Sequence, residues 1–253
     1  MSDEIPKQVI CMKWGSLYGA HYVNCLYAMT RRNLKGSLRF VCLTDNSEGI
    51  REEVECHPCP ELDIPMPHRN RGWRKLSTYA SSQELFGLQD QWLFLDLDVV
   101  ITGQLDDFFT YEPEKSFVVM KNWSQPGKGI GNTSVYRFKV GQESYLLDNL
   151  LQHQDEVFSQ YTNSQTYISR NVKELTFWPD EWCALFKVQC VPSWPQRFWQ
   201  EPKLPDRVRV VAFPGVPNPD HALAGIWPNK CSLQKCYKWI RPTRWISDYW
   251  RED

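Results

Sequence analysis

The sequence predicts an α/β protein with a largely parallel sheet and helices on its faces. Three observations carry that expectation. In the first hundred residues, short apolar runs alternate with amphipathic stretches of helical period. Two of those runs end in polar pairs, Thr44-Asp45 and Asp96-x-Asp98, where ligands sit in such sheets. Finally, 42% hydrophobic content, with 12 Trp, 11 Tyr and 12 Phe in 253 residues, is enough to cover a sheet from both sides around one continuous core.

The elements follow in order. "QVICMKW" (8–14) reads as a buried strand, and "HYVNCLYAMTRRN" (21–33) as a helix whose terminal arginines suit its negative end. "LRFVCLTD" (38–45) is a second strand and "VECHPCP" (54–60) a weaker third. The Pro-rich stretch 61–72 is a loop, and "WRKLSTYASSQELFG" (73–87) is a helix stopped by Gly87. "WLFLDLDVVI" (92–101) is a fourth strand. Strands at 116–121 and 133–138 flank the loop "NWSQPGKGIGN". An amphipathic helix from 142 to 159 puts Leu146, Leu150, Val157 and Phe158 on one side. Beyond Phe177 the chain is rich in Trp and Pro and mostly irregular, with one more strand at 207–213.

Composition excludes several functions. Lys and Arg number 29 against 30 Asp and Glu, a net charge of -1, so there is no general basic footprint for nucleic acid. No apolar run approaches about 18 residues, so no membrane-spanning segment is expected. The start "MSDEIPKQVICMKWG" does not read as a signal peptide, so a cytoplasmic protein with reduced thiols is expected. On that footing the two Asn-x-Ser patterns, at Asn122 and Asn132, are not glycosylation sites. Cys56-His57-Pro58-Cys59 could pair with Cys231 and Cys236 around zinc, or be a strand end with incidental thiols. The Trp- and Arg-rich terminus could rest on the inner face of a membrane, or simply pack in the core.

Asp96 and Asp98 pose the functional question. Burying an unpaired carboxylate costs several kcal/mol, so the pair needs a partner, a metal or solvent. On a strand, residues two apart share a face and can converge on one object. Two enzyme classes place Asp-x-Asp after an apolar strand. Haloacid-dehalogenase-like phosphatases use the first Asp as nucleophile, but need a further acidic cluster for magnesium; the nearest acidic pairs downstream are Asp106-Asp107, close along the chain, and Asp180-Glu181, in an unlike setting. In the other class the carboxylates hold Mn²⁺ or Mg²⁺, which bridges the diphosphate of a nucleotide sugar.

Along the chain the residues resemble that second class. "CMKWGSLYGAHYVNCLYAM", "VCLTD", "GWRKLSTY", "LFLDLDVVITGQLDDFF", "GNTSVYRF" and "NSQTYIS" occur in the order of a GT-A-fold glycosyltransferase similar to glycosyltransferase family eight and its small bacterial relatives. The resemblance implies one GT-A domain over 1–253, with a nucleotide-sugar-binding half (1–101) and an acceptor half (102–253). It implies hexosyl transfer from a UDP-sugar to a glycan, lipid or other acceptor, with retention of anomeric configuration. Trp14, Tyr18, Thr44 and Asp45 would border the nucleotide; Arg74, Lys75 and Asp96 would bind the donor; Asp96 and Asp98 would hold the metal. Asn132 would border the donor sugar and Gln165 the reacting anomeric carbon. Two stretches depart from the family pattern. Ser164 stands where an Asp is usual. "FPGVPNP" replaces "FHGxPKP", so Pro214 and Asn218 occupy the places of a metal-binding His and a diphosphate-binding Lys; His221 is the candidate substitute ligand. A protein that binds nucleotide sugar without turnover remains the alternative from another class.

Overall fold

A computed structural model of the protein describes residues 6–66, 68–228 and 237–253. Its main sheet starts from three parallel neighbours: β1 (Lys7–Lys13), β2 (Leu38–Thr44) and β3 (Glu55–Pro58). Helix α1 (Ala20–Arg32) crosses from β1 to β2, with Arg31 and Arg32 in its last turn as expected. β4 (Gln91–Leu95) lies on the other side of β1 and is also parallel to it.

The later strands extend the same sheet. β7 (Gly131–Lys139) runs antiparallel to β4, and β6 (Phe117–Lys121) antiparallel to β7. β8 (Thr176–Phe177) closes the edge, parallel to β6. The seven-stranded order is β3-β2-β1-β4-β7-β6-β8, so the mainly parallel α/β sheet is present. A smaller sheet has the order β5-β10-β9, from β5 (Val99–Ile101), β9 (Cys183–Leu185) and β10 (Val210–Ala212).

Strand alternation divides the core. Val9, Cys11, Phe40, Cys42, Leu93 and Leu95 face one way, packed with Val23, Leu26 and Met29 of α1 and with the small sheet. Ile10, Met12, Val41, Leu43, Trp92 and Phe94 face the other, against Trp73, Leu76, Tyr79, Leu146 and Tyr167. Each such side chain contributes about 1.5–3 kcal/mol through burial. Arg137 is fully buried and pairs with no carboxylate among the described residues; its guanidinium donates to the carbonyls of Phe108, Tyr111 and Glu112, pinning the end of α2 (Asp106–Thr110) and the chain that follows.

Four expectations needed correction. The strand at 92–101 is two strands, β4 and β5, in different sheets, broken at Asp96–Asp98. The helix at 73–87 is a 3-10 turn over Gly72–Tyr79 that ends at an extended Ala80. Ser77 Oγ and Thr78 Oγ1 bond back to the carbonyls of Arg74 and Lys75, satisfying acceptors three residues back and competing with α-helical geometry. The helix at 142–159 breaks at His153 into α3 (Ser144–Gln152) and α4 (Gln154–Gln160), although Leu146, Leu150 and Val157 are buried as expected. The region beyond Phe177 holds two short helices, α6 (Pro219–Leu223) and α7 (Ile246–Tyr249), and α5 (Ser164–Asn171) precedes it.

Candidate functional site

The parallel strands β1, β2 and β4 point their C-terminal ends at one cleft of about 540 Å³. Trp14, Tyr18, Asp45, Arg74, Lys75, Asp96 and Asp98 all line it, joined by Gly15–Leu17 of the loop after β1 and by Gly72. Asp45 Oδ2 accepts from the Gly15 backbone at 2.8 Å, and Gly15 needs its positive φ of 63° to turn there. The sequence does not single out these loop residues, because nothing in their own pattern separates them from any other β-to-α connection.

Asp96 and Asp98 do not share a strand face. Asp96 N donates to Ser134 O of β7 at 2.9 Å, whereas Asp98 O accepts from Phe213 N beyond β10 at 3.0 Å. The turn that passes the chain from one sheet to the other brings both carboxylates to the cleft. Their partners differ. Lys75 Nζ pairs with Asp96 Oδ2 at 2.6 Å and also donates to Thr133 O at 3.3 Å. Tyr18 OH donates to Asp98 Oδ2 at 3.0 Å. Burial, then the neighbouring Asp96 charge, pushes the Asp98 carboxyl up to about 7 against the pull of Lys75. Burial, then Asp98, raises the Tyr18 phenol as well, so it stays a donor.

Other charges and rings complete the surround. Arg74 Nε is buried without a hydrogen-bond partner among the described residues, an unspent donor beside the cleft. The ring of Tyr18 lies 4.7 Å from that of Tyr22, whose hydroxyl donates to Asp220 of α6 at 2.7 Å. Tyr22 was not expected near the site because at helical spacing it reads only as core.

The other residues expected at the site lie apart from this lining. Thr44 faces an adjoining hollow, its hydroxyl bonded to Asn46. Asn132 is buried, its side-chain oxygen taken by Ser134 N at 2.9 Å. Gln165 Oε1 accepts from Asn122 at 3.3 Å. Ser164, one residue earlier, does border the cleft wall: a Cβ on Gly72 would lie 3.1 Å from its hydroxyl. His221 sits in the capping box of α6, its Nδ1 3.3 Å from Asn218 N. Among the described residues, no three His, Cys, Asp or Glu side chains gather as a metal site, so His221 does not join Asp96 and Asp98 here. The helix explains it: the ring is spent on the cap.

Asp106, Asp107 and Asp180 pair with Lys7, Arg209 and Lys121, and among the described residues they form no magnesium cluster with the Asp-x-Asp turn. His57 pairs with Glu55 at 2.7 Å and stacks on Phe86, while Cys231 and Cys236 lie outside the described residues. No described helix is long and apolar enough to cross a membrane.

A mainly parallel sheet with an Asp-x-Asp turn at the C-terminal edge of its strands is the GT-A arrangement, and solved glycosyltransferases share the fold. The galactosyltransferase LgtC, in complex with donor and acceptor sugar analogues, matches with a TM-score of 0.55 at 13% identity, over 84% of this chain and 88% of that one. Apo GlyE of Streptococcus pneumoniae TIGR4 matches at 0.59 and 12%, over 85% of this chain but 56% of its own length. Apo mouse xyloside xylosyltransferase 1 matches at 0.50 and 12%, over 83% and 98%. The expected likeness therefore holds as a likeness of structure. No protein-family model and no curated protein matches the sequence.

Proposed function

We propose that this chain is a metal-dependent glycosyltransferase that takes a sugar from a nucleotide-sugar donor, a UDP-sugar, and passes it to a carbohydrate or lipid-linked acceptor. The observation that carries this reading is the convergence of Asp96, Asp98, Lys75, Arg74 and Tyr18 on one cleft at the C-terminal edge of the parallel strands. Aromatic walls at Trp14 and Tyr18 suit a base, and the basic pair suits phosphates.

The donor set fits Mn²⁺ or Mg²⁺. Two hard carboxylates rise from one turn, and burial beside Asp96 holds the Asp98 carboxyl up despite the pull of Lys75. Asp96 and Asp98 would hold the cation, whose chemistry there is to neutralise charge on the departing nucleotide. This chain's own residues do the rest. Lys75 orients Asp96, Tyr18 orients Asp98, and Arg74 brings its guanidinium charge to the cleft for a phosphate.

Binding without turnover is the second reading. It is favoured by Gln165 being tied to Asn122 and by Ser164 standing where the resembled family has a carboxylate. Calorimetric titration of UDP, GDP and their common sugars, with Mn²⁺ or EDTA, on the wild type and Asp98→Ala tests the site. Metal-dependent binding of one nucleotide, lost in Asp98→Ala, is expected; no binding under any condition sinks it. Donor hydrolysis or transfer then separates the enzyme from the binding protein.

A further inference from the structure

The resembled glycosyltransferases bring a diphosphate-binding Lys to the segment after the last strand, and here that place is Asn218. Asn218 is committed to capping α6, with its side chain accepting from the helix and its own N–H directed to His221. Among the described residues, the cations of the cleft lining are Arg74 and Lys75. The small sheet supplies another from elsewhere in the chain.

Three strands set its position. β10 pairs in parallel with β9, with Leu185 beside Ala212, so the residues that follow each strand emerge together. β10 also pairs antiparallel with β5, with Val99 beside Ala212, and Phe213 N donates to Asp98 O at 3.0 Å. Asp98, Pro214 and the turn Phe186–Cys190 therefore lie in a row. Within that turn Lys187 directs its ammonium to Pro214 O at 2.5 Å, and Gly215 follows with a built Cβ 3.8 Å from the same Nζ.

Lys187 is half-buried and has no carboxylate within ion-pairing distance among the described residues. The charged groups that act on it are Asp98, which attracts it, and Lys238, which repels it. Burial pulls its pKa down against the attraction of Asp98. An ammonium has three donors, and the Pro214 carbonyl takes one.

We infer that Lys187 is the second diphosphate-binding cation of the donor site, reaching the phosphate oxygens beside Asp98 from the Pro214 side and standing in for the lysine that Asn218 replaces. The inference rests on the donor-site reading above. Its flexible stem lets Nζ leave the Pro214 carbonyl for a phosphate oxygen without moving the strands.

The test compares diphosphates with monophosphates. UDP, GDP, UMP and GMP are titrated with Mn²⁺ into the wild type, Lys187→Met, Lys187→Gln and Lys187→Arg. The diphosphate that binds wild type should lose about ten- to a hundred-fold in affinity in the Met and Gln variants, while the matching monophosphate changes by less than about three-fold and Lys187→Arg keeps most of the affinity. Lys187→Gln retains a donor for Pro214 O, so the comparison survives if the Met variant folds poorly. Equal losses for both nucleotides, or none, overturn the role of Lys187 alone. A wild type that binds neither diphosphate overturns the donor site and this inference with it.

Discussion

Lys75 reaches Asp96 at 2.6 Å while the nearby Asp98, more deeply buried, receives the hydroxyl of Tyr18 at 3.0 Å. Lys75 thus serves the two carboxylates unequally, and burial beside Asp96 holds the Asp98 carboxyl up. Removing Lys75 should expose that imbalance. Lys75→Met should cost about 3 kcal/mol of stability, because it strands a largely buried carboxylate. Manganese should then raise the melting temperature of Lys75→Met more than that of wild type. Equal shifts in the two proteins would count against a metal site at Asp96 and Asp98.

Asn163 caps α5, accepting from Thr166 N at 2.9 Å, and so sets the position of Ser164 against Gly72. Asn163→Ala should cost about 1 kcal/mol in urea unfolding, and Asn163→Asp should be close to neutral. A nucleotide affinity that falls in the Ala variant alone would tie the cap to the cleft.

The edge of the main sheet carries an acid-sensitive pair. Arg39 makes two hydrogen bonds of 2.8 Å to Glu55, which together with His57 hold the carboxyl down at about 2. Its folded pKa lies below the ordinary value of 4.5, so the pair stabilises above that pH and is lost as pH falls through about 2. Wild type should therefore lose its stability advantage over Glu55→Gln across that window, read as unfolding midpoints against pH. A constant difference would contradict it.

Gly225 closes α6 at φ 72°, and a Cβ there would lie 2.7 Å from Cδ of Pro242 and 2.8 Å from its nitrogen. Backbone cannot yield as a flexible side chain does, so Gly225→Ala should destabilise by about 2 kcal/mol or more. Because α6 holds Asp220 against Tyr22, the loss should appear in thermal melting together with reduced tyrosine protection near the cleft.

By itself, the sequence determined the parallel half of the sheet and one edge of the site. Runs such as "QVICMK" and "LRFVCLT" are apolar on both faces, and only a covered strand tolerates that; the charged pair at Asp96 and Asp98 inside such a run already demanded a ligand or a partner. Tertiary structure alone decided who the partners are. Lys75, Tyr18 and Asp98 lie up to 80 residues apart, and only the sheet order brings them together. It decided, too, that the run 92–101 turns between two sheets, that His221 is spent on a helix cap, and that Lys187 meets Pro214. Local pattern records the burial each residue wants, whereas strand pairing across the chain determines which neighbours satisfy it.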